Sequence, residues 1–329
     1  NDAGAIGKAL QVEAIVTGSV RQAAGKLRVI VKLVDTRTEA NLWTKTFDKT
    51  EGDVFPIQRE IAQSVAEGLS IELDARYEMR LAKRQPENLE AYNLYLKGRA
   101  LWNTRTKENM TAAIADFELA LAKDPGFALA HVGIADCHSM LAAYGYTPPI
   151  IAYPKAKKEL QTALKLNSGI SEAHSSLGWV YYNYDWEWEN GKRAFEEALR
   201  INPSNPEANR WYSQLLMVNY DPLTLKQINT AITLTPASPI NRFAHVRLLT
   251  AFGNLDEALQ AAEKVTELDP TYFLGPYGKI EVLTLQGKYD EALKIANAAA
   301  KGFSNHPTYL TTQGMLLGLA GRHDEARAI

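Results

Sequence analysis

Apolar and polar side chains alternate over much of the first fifty residues, which is typical of strands in a sheet with one buried face. The pattern predicts three strands, over residues 12–20, 26–36 and 42–48, and a hairpin turn at residues 23–25. The central strand is the clearest, because alternate side chains from Leu27 to Leu33 are apolar and its charged side chains fall between them.

A change to a spacing of four predicts a helix from Asp53 onward. Its apolar stripe consists of Ile57, Ile61, Val65, Leu69 and Leu73. Such a helix can cover the sheet face that carries Trp43 and Phe47 of the third strand. The order β-β-β-α therefore predicts a small α/β domain at the amino end.

The carboxyl-terminal part follows a longer period. The motif Gly-x-x-Asp-Glu-Ala begins at Gly253, Gly287 and Gly321, so each copy starts 34 residues after the last. A fixed period of this size indicates a stacked repeat array. Glycine can take the positive φ that follows a helix, and the acidic pair is favourable in the first turn of the next helix. Pro236 and Pro270 then end the second helix of their repeats. Two antiparallel helices per repeat predict a mainly α, solenoid fold.

One unit of the array carries a known signature. It consists of Leu177, Gly178, Tyr181, Gly191, Phe195, Ala198 and Pro203. These residues at these spacings resemble the tetratricopeptide repeat (TPR), although His174 stands where that repeat usually has tryptophan. The resemblance implies a right-handed helical solenoid whose groove binds a protein or a peptide.

The amino-terminal segment also has a resemblance, over about residues 5–75. Its most specific matches are Gly18-Ser19-Val20, Leu42-Trp43 and Val54-Phe55. They resemble the second half of the TolB-like amino-terminal domain. That resemblance implies a bacterial signalling protein whose effector part is an adenylate or guanylate cyclase, a Ser/Thr kinase or a winged-helix regulator. It implies no catalytic residue.

The two resemblances predict a partial TolB-like α/β domain over residues 1–85 and a TPR array over residues 86–329. We expect six full repeats and a seventh that stops at Ile329 inside its second helix. The first half of the TolB-like domain is missing from this sequence, and the array has no polar end cap. We therefore expect both ends of the chain to lie within a longer protein, in the cytoplasm or the periplasm.

Composition excludes some classes of partner. The 36 Lys and Arg residues against 38 Asp and Glu residues give a net charge of −2, which argues against nucleic-acid binding by this segment. The sequence contains no run of 18 apolar residues, so it predicts no membrane-spanning helix. A single cysteine, Cys137, excludes an internal disulfide.

Candidate catalytic and metal-binding groups have simpler structural interpretations. Cys137 and His138 are neighbours on a helix, so their side chains point about 100° apart and do not form a nucleophile and base. His131 and His138 share a helix face, but the sequence places no third metal ligand and packing is favoured. Residues 4–8 resemble a phosphate loop without its required residues, and are interpreted as helix. We therefore predict no enzyme activity, cofactor or metal for this chain.

Two features favour binding. The aromatic run at residues 179–188 could bind a ligand or fill a longer turn between helices, and the structural role is favoured. In a TPR array the first helix of each repeat lines the groove, and aromatics with arginines are typical of binding hot spots. By phase, the predicted groove consists of Tyr95, Arg99, Val132, Asp136, Trp179, Tyr182, Asn183, Arg210, Gln214, Phe243, Arg247, Tyr277 and Glu281. Packing of some of these side chains on adjacent helices is an equal alternative.

Three functions remain open at this stage. The first is a non-catalytic protein- or peptide-binding module of a bacterial regulator. The second is the regulatory arm of an enzyme whose cyclase or kinase domain lies upstream. The third is a scaffold that forms a homodimer through an unpaired sheet edge or through the end of the repeat array.

Overall fold

The computed structural model describes residues 3–10, 12–23, 26–50, 54–69, 88–303 and 307–329. The chain divides into two compact units. One comprises Asn1–Asn103 and Thr111–Gly133, and the other comprises Thr104–Met110 and Ile134–Ile329.

An antiparallel sheet of three strands forms the first part of the chain, as predicted. The strands are β1 (Ala14–Ala23), β2 (Lys26–Asp35) and β3 (Asn41–Thr50), in the order β1-β2-β3. Strand β1 lies two to three residues later than predicted, β2 begins at the predicted residue and ends one residue earlier, and β3 extends one to two residues further at each end. Residues 24–25 of the predicted turn lie outside the described residues.

Two helices accompany the sheet, α1 (Ala3–Leu10) and α2 (Val54–Gly68). Ile57 of α2 packs with Phe47 and with the buried valines of β2, which confirms that the helix covers the alternating face. The predicted stripe is wrong at Leu69, which lies beyond the helix end and is 40 % exposed. The predicted positions Asp53 and Leu73 lie outside the described residues.

Helices in pairs make up the described chain from residue 88 onward, which confirms the mainly α, solenoid class. The pairs are α3 (Leu89–Asn103) with α4 (Lys107–Lys123), α5 (Ala128–Ala143) with α6 (Pro149–Leu166), α7 (Ser171–Val180) with α8 (Trp188–Ile201), α9 (Pro206–Met217) with α10 (Leu223–Leu234), α11 (Pro239–Ala251) with α12 (Leu255–Leu268), α13 (Gly275–Leu285) with α14 (Tyr289–Gly302), and α15 (Pro307–Leu319) with the short α16 (His323–Arg327). None of these helices, nor α1 or α2, is long and apolar enough to cross a bilayer within the described residues.

The 34-residue phase is visible in the backbone. Helices α12, α14 and α16 begin 34 residues apart, and each follows a glycine with positive φ: +81° at Gly253 and +74° at both Gly287 and Gly321. At each position the residue after the glycine donates its backbone N–H to a carbonyl five residues earlier, as in Lys288 to Leu283 at 2.9 Å. These bonds satisfy carbonyls that the preceding helix leaves free.

Small residues set the spacing of the two helices in a pair. A Cβ atom on Gly98 would lie 2.6 Å from the Phe117 ring, and one on Gly178 would lie 2.9 Å from the Phe195 ring. Both phenylalanines are fully buried. A bulky residue on the second helix therefore fits only because the first helix carries no side chain at that point.

Candidate functional site

A pocket of about 450 Å³ lies within the larger unit, between the first helices of successive pairs. Helices α5, α7, α9 and α11 contribute to it, together with the turn after α7. Its lining consists of Met140, Ala143, Tyr144, Trp179, Tyr182, Asn183, Arg210, Trp211, Gln214, Met217, Ile240, Phe243, Ala244, Arg247, Leu248, Ala251 and Leu274. Its volume falls in the range of ligand sites.

Seven of the predicted groove residues meet in this pocket: Trp179, Tyr182, Asn183, Arg210, Gln214, Phe243 and Arg247. Two more continue from it on α13. The ring of Tyr277 lies 6.2 Å from that of Phe243, and Glu281 lies 3.7 Å from Arg247.

The other four predicted residues make internal contacts elsewhere. Tyr95 packs against Phe127, with ring centroids 5.1 Å apart, and the Arg99 guanidinium lies 4.1 Å from the Trp102 ring. Val132 is buried. Asp136 is buried and accepts a hydrogen bond from Ser176 at 2.5 Å. The pocket therefore begins later in the array than the sequence phase suggested.

A π-helical turn at Tyr181–Asp185 places two of the lining residues. Asn183 Nδ2 donates to the Trp179 carbonyl at 3.1 Å, which fixes that side chain beside the pocket. The opposite side of the turn is held by Lys157, which pairs with Asp185 at 2.6 Å, and by Tyr184, whose ring stacks on Tyr153 at 5.0 Å.

The aromatic run therefore divides between the two roles considered from the sequence. Tyr182 lines the pocket, while Tyr184 packs inside the fold. Trp186 takes a positive φ of 60° and is 73 % exposed, and Trp188 lies 6.3 Å from it by ring centroids. Tyr182 and Asn183 both lie in the π-helical turn and line the pocket, and the sequence has no period that predicts such a turn.

Aromatic rings form one wall of the pocket. The rings of Trp179 and Trp211 lie 5.3 Å apart, and Tyr182 meets Trp179 edge-on at 6.0 Å. Both tryptophans are largely buried, so they provide a rigid apolar surface. Trp211 and Tyr144 were not in the predicted set. Trp211 follows the predicted Arg210 directly, and Tyr144 lies in the insertion, whose direction the helical phase does not determine.

Arg210 is the most unusual residue of the site, because it is a cation with only 4 % of its surface exposed. Its guanidinium lies 5.1 Å from the Trp211 ring. Burial, with a smaller contribution from the positive charge of Arg105, lowers the pKa of Arg210 to about 10. Glu207, Tyr144 and Tyr272 act in the opposite direction.

Arg247 stands at a more open position, with 59 % of its side chain exposed. It faces Glu281, whose pKa is raised by burial and lowered in part by the Arg247 charge. The pKa of Tyr182 is likewise raised by burial and lowered in part by Arg247. The pocket thus has one buried and one exposed arginine.

The groups considered for catalysis or metal binding do not form a site in the described residues. Cys137 is buried, and burial together with Lys155 lowers the pKa of His138, while Glu159 raises it. No three His, Cys, Asp or Glu side chains of the described chain come together as metal ligands would.

Comparison with known proteins agrees with the repeat pattern. Residues 243–308 match the family model described as "Tetratricopeptide repeat". This part of the chain therefore contains tetratricopeptide repeats, as the resemblance implied.

A curated relative and two solved structures are similar to parts of the chain. "Putative adenylate cyclase 3" of Rhizobium meliloti (strain 1021) is 30 % identical over 131 residues, which are 40 % of this chain and 22 % of that protein. The chain thus spans less than a quarter of that relative's length. YrrB, described as a TPR protein with an unusual peptide-binding site, is 24 % identical, covers 59 % of this chain and 95 % of its own, and has a TM-score of 0.37. A thermophilic TPR protein of Thermus thermophilus is 18 % identical, covers 59 % of this chain and 99 % of its own, and has a TM-score of 0.48.

Proposed function

We propose that this chain is a non-catalytic, protein- or peptide-binding regulatory module, and that the pocket between α5, α7, α9 and α11 is its binding site. The observation that carries the proposal is the composition of the pocket wall. It combines buried tryptophans, a buried arginine and two side-chain amides, and the first two are the residue types that dominate binding energy at protein interfaces.

An extended peptide suits this wall. Asn183 and Gln214 can each donate and accept hydrogen bonds with a peptide backbone. The tryptophan pair and Phe243 offer apolar surface for peptide side chains, and Arg247 adds a charge at an exposed position. Each group would then bind a different part of the same segment.

Selection from a random heptapeptide library displayed on phage tests this function. Peptides selected on the full 329-residue chain should bind a Tyr182→Ala variant about tenfold more weakly, because truncation of an aromatic anchor at a binding hot spot costs about 1–2 kcal/mol. Tyr220→Ala is the matched control, since Tyr220 is 64 % exposed and does not line the pocket. Equal losses in both variants, or no enriched peptide, would contradict the proposed site.

The second part of the proposal concerns the protein from which the module comes. The adenylate cyclase relative supports a regulatory arm of a bacterial signalling protein, with a cyclase or kinase domain upstream. The TolB-like resemblance of the sheet supports the same assignment, with a partial α/β domain over residues 1–85 and a TPR array over residues 86–329.

The 329-residue chain itself should form no cyclic nucleotide from ATP or GTP. Turnover that survives repurification and is lost on a single substitution would overturn this.

The third candidate is self-assembly, and the exposed apolar residues of β1 favour it. Val16 and Val20 are 51 % and 66 % exposed on this edge strand. Unpaired edges recruit strands from other chains. A homodimer through β1, or end-to-end stacking of the repeats, is therefore proposed beside peptide binding and does not compete with it.

A further inference from the structure

The buried guanidinium of Arg210 has unused hydrogen-bonding capacity. Its Nε and Nη2 atoms are both buried and have no hydrogen-bond partner in the part of the chain that the structure describes. A buried cation is costly unless its donors are satisfied. The guanidinium lies over the Trp211 ring, 5.1 Å from its centroid, and this cation–π contact supplies no hydrogen-bond acceptor for the two nitrogens.

These two nitrogens form the edge of the guanidinium that carboxylates occupy elsewhere in this chain. Arg28 donates through Nε and Nη2 to the two oxygens of Asp48 at 2.5 and 2.9 Å. Arg200 uses the same pair of atoms on Glu197, at 2.6 Å for both bonds. Arg210 thus presents the fork that fits a planar carboxylate, and no carboxylate of the described chain fills it.

The surroundings favour an anion. Arg105, also buried, lowers the pKa of Arg210 by its positive charge. The hydroxyl of Tyr272 is buried without a hydrogen-bond partner, and both arginines influence its pKa. A cationic ligand would be repelled here, and a neutral ligand would leave the charge of Arg210 uncompensated.

We propose that the pocket recognises a carboxylate of an extended peptide, and that Arg210 holds it by a bidentate pair of hydrogen bonds through Nε and Nη2. This rests on the peptide-binding function proposed above and specifies its chemistry. The residue beside the carboxylate packs on Trp179 and Trp211. A C-terminal carboxylate and an Asp or Glu side chain offer the same group.

Three fluorescein-labelled peptides distinguish these sources when they are titrated into the full chain and followed by fluorescence anisotropy. The first ends Gly-Ser-Leu-Phe with a free C-terminus. The second is the same peptide with a C-terminal amide, and is neutral at that end. The third is Gly-Ser-Glu-Phe with a C-terminal amide, and carries its carboxylate on a side chain.

At least one carboxylate peptide should bind the wild-type chain roughly tenfold to a hundredfold more tightly than the neutral peptide, as expected for a charge-assisted hydrogen-bond pair. Arg210→Met should reduce that peptide to the affinity of the neutral one, and Arg210→Lys should retain only part of the preference because lysine lacks the fork. Arg200→Met is the matched control and should bind as the wild type does, since Arg200 is 71 % exposed and lies outside the pocket. Circular dichroism checks that each variant is folded, and the lysine variant keeps the test open if the methionine variant is not.

The possible failures have different meanings. If the neutral peptide binds as tightly as both acids, peptide binding stands and carboxylate recognition is overturned. Equal binding of the acids by wild type and Arg210→Met overturns the role of Arg210. If no peptide binds at millimolar concentration, the carboxylate proposal is also overturned, whereas the selected heptapeptides decide the broader function independently.

Discussion

At the scale of single residues, small side chains determine how the helices of a pair approach each other. Ala258 and Ala292 occupy the same place in the 34-residue period, the last position of the Gly-x-x-Asp-Glu-Ala motif, and both are fully buried. Ala292 belongs to a closely packed group with Ile280 and Leu283 of the preceding helix. This part of the core could be predicted because the period fixes which positions face the partner helix.

Replacement of Ala292 by leucine should therefore destabilise the protein. The larger side chain has no space between α13 and α14, and overpacking of this kind costs about 1–3 kcal/mol in the free energy of unfolding. Ala298→Leu on the same helix is the control, since Ala298 is exposed and its change should stay within about 0.5 kcal/mol. Urea titration measures both, and equal stability of the two variants would contradict the assigned packing.

Arg210 illustrates what the sequence could not provide. Its place on the groove face followed from the period, but its burial and its unsatisfied nitrogens depend on how Trp211, Tyr144 and the neighbouring repeat close around it. A sequence period predicts which face of a helix carries a side chain, but it does not predict how deeply neighbouring residues bury that side chain. The missing acidic partner could likewise be recognised only in three dimensions.

Arg210→Met should stabilise the ligand-free protein by about 1–4 kcal/mol, as replacement of other buried ionic groups by apolar ones has done. The pKa of Arg210 in the folded protein, about 10, lies below its ordinary value of 12.5, so folding disfavours the charged form. This cost is present in full at neutral pH and declines only as the pH rises above about 10. Thermal unfolding at neutral pH measures the gain, with Arg200→Met as the control. A lower melting temperature for Arg210→Met would contradict this prediction, because it would show that Arg210 stabilises the ligand-free fold.

Glu281 gives a prediction that depends on pH. Burial raises its pKa above the ordinary value, with the charge of Arg247 as a smaller opposing effect. The ionised carboxylate therefore destabilises the folded state above that raised pKa, and protonation removes the penalty as the pH falls through it. Glu281→Gln should be more stable than wild type at about pH 7. This stability difference between variant and wild type should become smaller as the pH falls from about 7 to about 4.5. Urea titrations at several pH values test this, and a constant difference would show that the desolvation of Glu281 is unimportant.

At the scale of helices and turns, the regular caps could be predicted and the irregular ones could not. Gly253, Gly287 and Gly321 recur with the motif, and all three have the positive φ expected at a helix end. The π-helical turn at Tyr181–Asp185 has no such signal, because one extra residue in a helical turn leaves the local apolar pattern almost unchanged. Tyr182 and Asn183 lie in that turn, so the helical phase could propose them as groove residues but could not predict the shape of the pocket that they line.

A pair of glycines tests the value of these caps. Gly287→Ala should cost about 1–2 kcal/mol, because an alanine at φ +74° is strained although nothing lies within 4 Å of the new Cβ atom. Gly302→Ala, at the end of α14, also meets nothing within 4 Å, but its φ is not in the positive range. It should gain up to about 1 kcal/mol from the reduced freedom of the unfolded chain. Denaturant unfolding compares the two, and opposite signs are expected. Similar changes in both variants would indicate that backbone conformation is not the cause.

At the scale of the whole molecule, two apolar side chains of the sheet, Val16 and Val20, are exposed in the part of the chain that the structure describes. Val16 and Val20 lie opposite Leu33 and Val29 in the register of β1 and β2, so they share the face whose β2 members are buried. Helix α2 packs on β2 and β3, and the two valines of β1 stay exposed. The alternation of the strands was predictable from the sequence. Which strand α2 would leave exposed was not predictable, because that depends on the angle at which α2 crosses the sheet.

This arrangement favours association of two copies through β1. Val16 and Val20 are spaced symmetrically about Gly18, so an antiparallel pair of β1 strands centred on Gly18 would place Val16 of each copy opposite Val20 of the other. Backbone hydrogen bonds along the shared edge would add to the burial of four valines. Sedimentation velocity of the full chain at tens of micromolar should therefore show a dimer, and a double substitution of Val16→Lys and Val20→Lys should give a monomer because like charges would then face each other.

Ile150→Lys is the control, since Ile150 is 74 % exposed in the other compact unit, and it should leave the dimer intact. A dimer that survives both lysines on β1 would instead support end-to-end stacking of the repeats, and a monomeric wild-type chain would contradict self-association by either route.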